Sequence, residues 1–469
     1  MKILLINPPA NNMLTTNLPD FVEEQRGFYP QLGLLYLAAY LKKHARHKIQ
    51  IFDGEVEGGY AGLQKSLNHF QPDAVGLHTL TFNLLDVINC IKVIKRHHAE
   101  IRVILGGPHV NIYPKESAQL PGVDFVVLGE GEAPLLDLLD CIENQHRLQD
   151  VKGLVFTQDG ETMQTGIRPL IEDLDRLPFP AREMTDFNKY YSPVSRYNPI
   201  TTMFTSRGCP YKCIFCDRPH LGKSFRCRSA ESVVDEMESI SRLGIREVFV
   251  LDDTFTVNRQ RVVDICTEIR KRNLEMVWDV RARVNTVDYD LLKLMKRSGC
   301  ERIHLGVESG NDKVLENLRK GITKDQVRTA FRSCRKLGIT SFAYFIIGCP
   351  GESDAEIRDT TTFMKEIRPD FIHLSVMTPF PGTELYRIGL EKGIIPSDTW
   401  KAFAQNPAPG FTPGVWEENF SRAELIERLR KTYKHFYFRP RFIFKGLLRV
   451  KSLNDFRCLT RSGMKMLTG

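Results

Sequence analysis

Short apolar runs alternate with helical patterns along nearly the whole chain, and that rhythm limits the folds open to it. Lys2–Asn7 reads as a buried strand stopped by Pro8-Pro9. Residues 32–43 read as a helix, with Leu34, Leu35, Ala38 and Leu41 on one face. Residues 49–53, 74–78, 102–105 and 125–128 read as further strands, and 83–97 and 132–141 as helices. This alternation predicts a doubly wound, Rossmann-like parallel sheet over residues 1–145, with helices on both faces. Residues 146–196 are rich in proline, charge and aromatics and read as a linker with room for a small hairpin. A second series fills 197–420, with strands at 201–205, 247–251, 276–280, 302–307, 341–347 and 371–376, and helices such as 232–243 and 261–272. Six such units predict a parallel (β/α) partial TIM barrel, whose chemistry sits at the carboxyl ends of its strands. Residues 421–469 read as a helical, basic C-terminal extension.

At 469 residues the chain is too long for one core, and two or three domains are expected. The opening apolar run is too brief for a signal peptide, and no run is long enough to span a bilayer. The chain is therefore expected in the cytoplasm, where thiols stay reduced. Its 11 cysteines then read as free, buried or metal-binding, not as disulfides. The net charge of +8 is uneven: from Lys431 onward ten basic residues face one acid, Asp455, giving +9. The rest is near neutral, which argues against a nucleic-acid-coating protein. Phe436, Tyr437, Phe438, Phe442 and Phe444 interleave with that charge, so peripheral membrane contact through the extension is one reading. Aromatics packed on the barrel beneath a solvated basic face is the reading favoured here.

One cysteine cluster has ligand spacing. Cys209, Cys213 and Cys216 follow the first strand of the second series, in Ser206-Arg207-Gly208-Cys209-Pro210-Tyr211-Lys212-Cys213-Ile214-Phe215-Cys216. Three thiolates at that spacing suit three irons of a [4Fe–4S] cube and leave the fourth iron open. The alternative is a zinc site completed by His220 or Cys227. The barrel context favours the cluster.

These residues resemble the radical S-adenosylmethionine superfamily, whose motif is Cys-x3-Cys-x-aromatic-Cys, with Phe215 in the aromatic place. The resemblance spans roughly residues 199–384. It implies S-adenosylmethionine contacts from Phe215, from Asp252 and Asp253 after the second strand, and from Glu308 and Ser309 after the fourth. It also implies a contact from Gly348 after the fifth strand, and it lets Arg281 or Arg283 pair with a carboxylate.

The amino-terminal unit resembles the cobalamin-binding domain that precedes the radical domain in one large subclass. Matching residues are Asn7, Pro8, Thr79, Thr81, Gly106, Gly107, His109, Gly129, Glu130, Gly131 and Glu132, all at strand ends. The Asp-x-His-x-x-Gly signature that supplies cobalt with a lower histidine in many cobalamin proteins is absent, since His78 and His109 lack its Asp and Gly. The resemblance then implies base-off cobalamin with no histidine on cobalt. Thr378-Pro379-Phe380-Pro381-Gly382-Thr383-Glu384-Leu385 also recurs in this subclass, and the whole most resembles the anaerobic magnesium-protoporphyrin ester cyclase type.

That resemblance implies a radical enzyme using a [4Fe–4S] cluster, S-adenosylmethionine and cobalamin. The favoured activity is methyl transfer to an unactivated carbon, through a 5′-deoxyadenosyl radical and methylcobalamin. The alternative is oxidative cyclisation or ring rearrangement. The expected partners are a small-molecule substrate, an apolar one if the extension meets a membrane, and a reductase, flavodoxin or ferredoxin as electron donor. A transfer-RNA methylthiotransferase is disfavoured because Cys90 stands alone in the first unit. A non-enzymatic corrinoid carrier is disfavoured because it has no need of the cysteine motif.

Overall fold

The computed structural model describes residues 1–15, 27–217, 224–440 and 442. In the first unit, β1 (Lys2–Asn7), α1 (Leu32–His44), β2 (Lys48–Asp53), α2 (Gly59–Phe70), β3 (Ala74–His78), α3 (Leu84–His97), β4 (Arg102–Gly106), β5 (Phe125–Val127) and α4 (Glu132–Asn144) follow one another. The five strands are parallel in the order β2-β1-β3-β4-β5. Successive side chains of a strand leave opposite faces, which sorts the core. Ile3, Leu5 and Ile104 meet α1 and α4 on one side, while Leu4, Ile6, Val103 and Leu105 meet α2 and α3 on the other. The doubly wound sheet is thus as expected.

Helix α2 escaped the pattern reading because Gly58, Gly59 and Gly62 interrupt it, yet it buries Leu63 and Leu67. Gly62 has a steric reason: a Cβ there would come 1.9 Å from the Glu57 carbonyl oxygen. The hairpin in the connecting segment, β6 (Leu154–Gln158) and β7 (Glu161–Gln164), extends the sheet by two antiparallel strands.

The second unit runs β8 (Ile200–Met203), β9 (Ser206–Arg207), β10 (Arg226–Cys227), α5 (Ala230–Arg242), β11 (Glu247–Val250), α6 (Arg259–Lys271), β12 (Val277–Arg283), α7 (Tyr289–Arg297), β13 (Cys300–Glu308), α8 (Lys324–Leu337), β14 (Thr340–Ile347), α9 (Asp354–Ile367), β15 (Phe371–Val376) and α10 (Arg422–Tyr437). Six parallel strands form the open barrel β8-β11-β12-β13-β14-β15. Val248, Val280, Leu305 and Phe345 pack outward under the helices. At the amino-terminal end of the strands Arg302 pairs with Glu247 and, at 3.1 Å, with Asp279. Above that floor His304 Nδ1 lies 2.8 Å from the Tyr344 hydroxyl, with its ring stacked on Phe342 and Phe249.

The barrel does not close on itself. Helix α10 lies along its last strand: the Tyr433 hydroxyl accepts from Leu374 N–H at 2.8 Å and donates to Leu374 C=O at 3.0 Å. Tyr437 repeats this at Ile372, at 3.1 and 3.0 Å. Phe436 is buried and Phe442 packs against the same core, so these aromatics belong to the barrel. The rest of the expected helical extension, residue 441 and residues 443–469, lies outside the described residues. No helix among the described residues is long and apolar enough to cross a membrane.

Contacts that fasten the two units include an aromatic cluster and buried ion pairs. Phe82 of the first meets Phe380 and Trp400 of the second edge-on. Arg182 of the connecting segment reaches the fully buried Glu236 of α5 at 2.6 Å. Arg207, beside the cysteine loop, reaches back into the first sheet, as described next.

Candidate functional site

The cysteine loop leaves β9 at the carboxyl end of the barrel. Gly208 takes φ +83°, a conformation that glycine adopts without strain, and so turns the chain into Cys209. Asp252 holds this turn from behind. It is fully buried and accepts hydrogen bonds from Thr205 N (2.7 Å), Ser206 N (3.0 Å) and both hydroxyls (2.5 and 2.6 Å). Those four bonds tie the Asp252 carboxylate to the turn behind the cysteine loop. Its neighbour Asp253 is exposed.

Cys209 and Cys213 are buried and Cys216 is exposed. Thr254 Oγ1 lies 3.9 Å from Cys209 Sγ. Arg283 places Nη1 3.5 Å from Cys213 Sγ, with its guanidinium over the Tyr211 ring at 3.8 Å. Among the described residues no three His, Cys, Asp or Glu side chains converge on a single ion. Of the two residues that could complete a zinc site, Cys227 is half-buried in β10 and His220 lies outside the described residues. Phe215 packs on Ile214, Leu318 and Trp416.

Opposite the loop, Glu308 ends β13 at φ +67°, a strained setting for a residue with a side chain. It pairs with Lys320 Nζ at 2.5 Å, both nearly buried. Ser309 is sealed and shares a 3.0 Å hydrogen bond with Thr360, facing away from the barrel mouth. After β14 the Gly348 and Cys349 amides donate to Glu352 Oε2 at 2.6 and 3.0 Å. Its Oε1 is buried without a partner among the described residues, and burial raises the carboxyl to about 7.

A cavity of about 460 Å³ joins the two units. One wall is the strand ends of the first sheet: His78, Gly106, Gly107, Asn111, Gly129, Glu130, Gly131 and Glu132. The other is the barrel mouth: Phe204, Arg207, Phe249, Leu251 and Arg281, with Tyr29 beside them. The lining extends, as an arm of the same cavity, to Leu5, Gly76 and Ile104 in mid-strand, with Leu34, Leu37 and Leu135 beside them. Arg281 is exposed into this space, its guanidinium over the Phe249 ring at 5.2 Å.

The strand-end residues divide into two sets. Gly106, Gly107, Gly129 and Gly131 line the cavity, and Asn111 ties their loops by donating to Gly107 C=O at 2.9 Å and accepting from Gly129 N–H at 2.7 Å. Asn7 instead donates to Asp53 at 2.8 Å, Pro8 is buried, Thr79 donates to Leu77 C=O, and Thr81 meets His109 Nδ1 at 3.0 Å. These five back the wall without lining it. Glu130 and Glu132 border the cavity, but their carboxylates are engaged across the units. Arg207 binds Glu130 at 2.8 Å and Glu132 at 2.5 Å, and Arg226 binds Glu130 at 2.9 Å. Burial pushes the Glu130 carboxyl up, but Arg226 and Arg207 outweigh it and hold it below the ordinary range.

Residues 203–364 match the Radical SAM superfamily and residues 20–139 match the B12 binding domain. An uncharacterized methyltransferase of Pyrococcus horikoshii is 32% identical, with 95% of each chain covered. The chain is a cobalamin-binding radical S-adenosylmethionine enzyme. The anaerobic magnesium-protoporphyrin IX monomethyl ester cyclase of Rubrivivax gelatinosus is 27% identical over 94% of this chain and 78% of its own. The solved cobalamin-dependent radical enzyme OxsB, with aqua-cobalamin and S-adenosylmethionine bound, shares the fold at a TM-score of 0.78 and 19% identity, over 99% of this chain and 72% of that one. The cofactors of this radical enzyme are a [4Fe–4S] cluster, S-adenosylmethionine and cobalamin.

Residues the sequence reading missed in the cavity wall include Phe204, Phe249, Asn111 and Arg207. Asn111 stands two residues after His109 in an ordinary-looking helical turn. Arg207 was visible only as a neighbour of Cys209. Neither carries a spacing signal of its own.

Proposed function

We propose that this enzyme transfers a methyl group to an unactivated carbon of a small molecule. The observation that carries this reading is the shared cavity: the glycine-lined strand ends and the mouth above the cysteine loop open into one space. When bound, the cluster and S-adenosylmethionine supply the radical that removes a substrate hydrogen, and the corrin supplies the methyl group that replaces it. Cys209, Cys213 and Cys216 are assigned to the cluster, with Arg283 and Thr254 beside their sulfurs. The S-adenosylmethionine seat is assigned to the barrel mouth, between Phe215, Asp253 and Arg281 and the turns at Glu308 and Gly348. Gly106, Gly107, Gly129 and Gly131 let backbone approach the corrin closely, and the arm past Gly76 suits its displaced tail base. Phe204, Phe249, Leu251 and Tyr29 keep water from the reacting carbon.

The relative from Pyrococcus horikoshii, named as a methyltransferase, supports transfer; the cyclase relative supports an oxidative cyclisation in the same cavity. A flavodoxin, ferredoxin or reductase is the electron donor this chemistry calls for. Peripheral membrane contact now rests on residues 443–469 alone. The deciding experiment incubates the reconstituted enzyme anaerobically with host extract and S-adenosylmethionine carrying a deuterated methyl. Mass spectrometry should find a product with the intact labelled methyl. Formation of 5′-deoxyadenosine together with an unlabelled, dehydrogenated product would replace transfer by cyclisation.

A further inference from the structure

Among the described residues, Arg281 is the cation in the wall of the shared cavity that no acid answers. The same wall carries Arg207, Glu130 and Glu132, which satisfy one another with help from Arg226 of β10. The acids nearby are spent as well. Asp279, two residues before Arg281 on β12, holds Arg302 at 3.1 Å, Glu308 holds Lys320 at 2.5 Å, and Asp252 holds the turn behind the cysteine loop. Arg281 has no ion pair or side-chain hydrogen bond among the described residues, and its exposed guanidinium lies over the Phe249 ring. A guanidinium laid on an aromatic face keeps its planar fork of donors free for an anion.

Its neighbour on the same face of the strand does a different job. Arg283 is buried, reaches Cys213 Sγ at 3.5 Å and donates to the Lys320 carbonyl, so it belongs to the cysteine loop. Two residues of strand separate the two arginines by about 7 Å. Arg283 therefore stands with the cluster and its S-adenosylmethionine, while Arg281 stands one layer deeper in the barrel, at the inner border of that seat. His304 is in register with Arg281 on β13, and its Nδ1 lies 2.8 Å from the half-buried Tyr344 hydroxyl. Burial raises that phenol, against a downward pull from the Arg281 charge, so the hydroxyl keeps its proton and can donate. Phe204, Phe249 and Leu251 supply the apolar wall beside this polar end. One unmatched cation and one phenol suit a monoanion; a phosphate dianion calls for more positive charge than is free here.

We propose that Arg281 is a substrate-recognition residue, and that the substrate is a carboxylic acid whose carboxylate docks on this guanidinium with its apolar body along Phe249, Phe204 and Leu251. The proposal rests on the methyl-transfer reading of the cavity and names the class of molecule that is methylated.

The test uses full-length enzyme reconstituted with cluster and cobalamin, S-adenosylmethionine carrying a deuterated methyl, and host extract in three portions. One portion is untreated, one is treated with phosphatase, and one has its carboxylates capped as methylamides with a carbodiimide. Mass spectrometry should find the labelled product from the first two portions and none from the third. With the substrate then purified, Arg281→Met should raise its KM roughly ten- to a hundredfold and Arg281→Lys less, while iron, corrinoid uptake and S-adenosylmethionine affinity stay at wild-type values. Undiminished product from the capped portion, loss of product after phosphatase, or an Arg281→Met defect in S-adenosylmethionine affinity at unchanged substrate KM would each overturn the carboxylate site and leave methyl transfer standing. No labelled product from any portion would overturn methyl transfer and this inference with it.

Discussion

Replacing Arg207 by methionine would leave Glu132 buried with no cation within reach among the described residues, because Arg207 Nη2 at 2.5 Å is its ion-pair partner. Glu130 would keep Arg226 at 2.9 Å. Removing one member of a buried pair costs about 3–5 kcal/mol, since the other charge stays desolvated and uncompensated. Domain stability is roughly 5–15 kcal/mol, so the loss would be a large share of it. Arg226→Met should cost less, about 1–3 kcal/mol, because Glu130 retains Arg207. Arg207→Met with Glu132→Gln removes the stranded charge and should recover part of the loss, a coupling that a double-mutant cycle isolates. Urea is the denaturant of choice, because guanidinium salt would screen the pairs under study. Unfolding followed by circular dichroism gives the stability, and iron content reports the cysteine loop beside Arg207. Equal costs for the two arginine variants, or no recovery on adding Glu132→Gln, would refute the reasoning.

Two further outcomes are expected. Cys→Ala at 209, 213 or 216 should abolish iron retention in anaerobically purified protein while the fold persists, as read by iron analysis and circular dichroism. Glu352 is held neutral by burial to about 7, so the folded state keeps a proton there that the unfolded chain releases near 4.5. Stability should therefore fall by roughly 3 kcal/mol as pH rises between those values and stay level above, and Glu352→Gln should flatten that slope in urea unfolding at pH 5 and pH 8.

The βα rhythm was legible because a continuous apolar run marks a strand buried on both faces, as in β1, while a period of about 3.6 is written in the apolar residues of α1 and α3. The cysteine trio was legible because its ligands are local in sequence. Helix α2 was not, since its glycines answer to a close approach by the Glu57 carbonyl, which only the folded chain reveals. The roles of Asp252, Glu130 and Glu132 were hidden for another reason. An acid at a strand end has the same signature whether it meets a cofactor or a distant part of the chain. Here Asp252 meets amides 46 and 47 residues away, and Glu132 meets an arginine 75 away. His78 and His109 look alike in sequence; the cavity wall separates them.

Helix α10 has a consequence for how the molecule meets its neighbours. The outer rim of β15 is main chain that another polypeptide could zip onto, and two phenol hydroxyls, spaced one helical turn apart, occupy its donors and acceptors at Ile372 and Leu374. A hydroxyl can both give and take a hydrogen bond, so each tyrosine mimics one residue of an absent strand while its ring fills the groove beneath. The last helix is thus a guard on an otherwise adhesive seam. A chain interrupted before Thr432 would keep every residue of both cofactor seats and yet present that seam to its copies, so its characteristic failure would be self-association, not loss of chemistry.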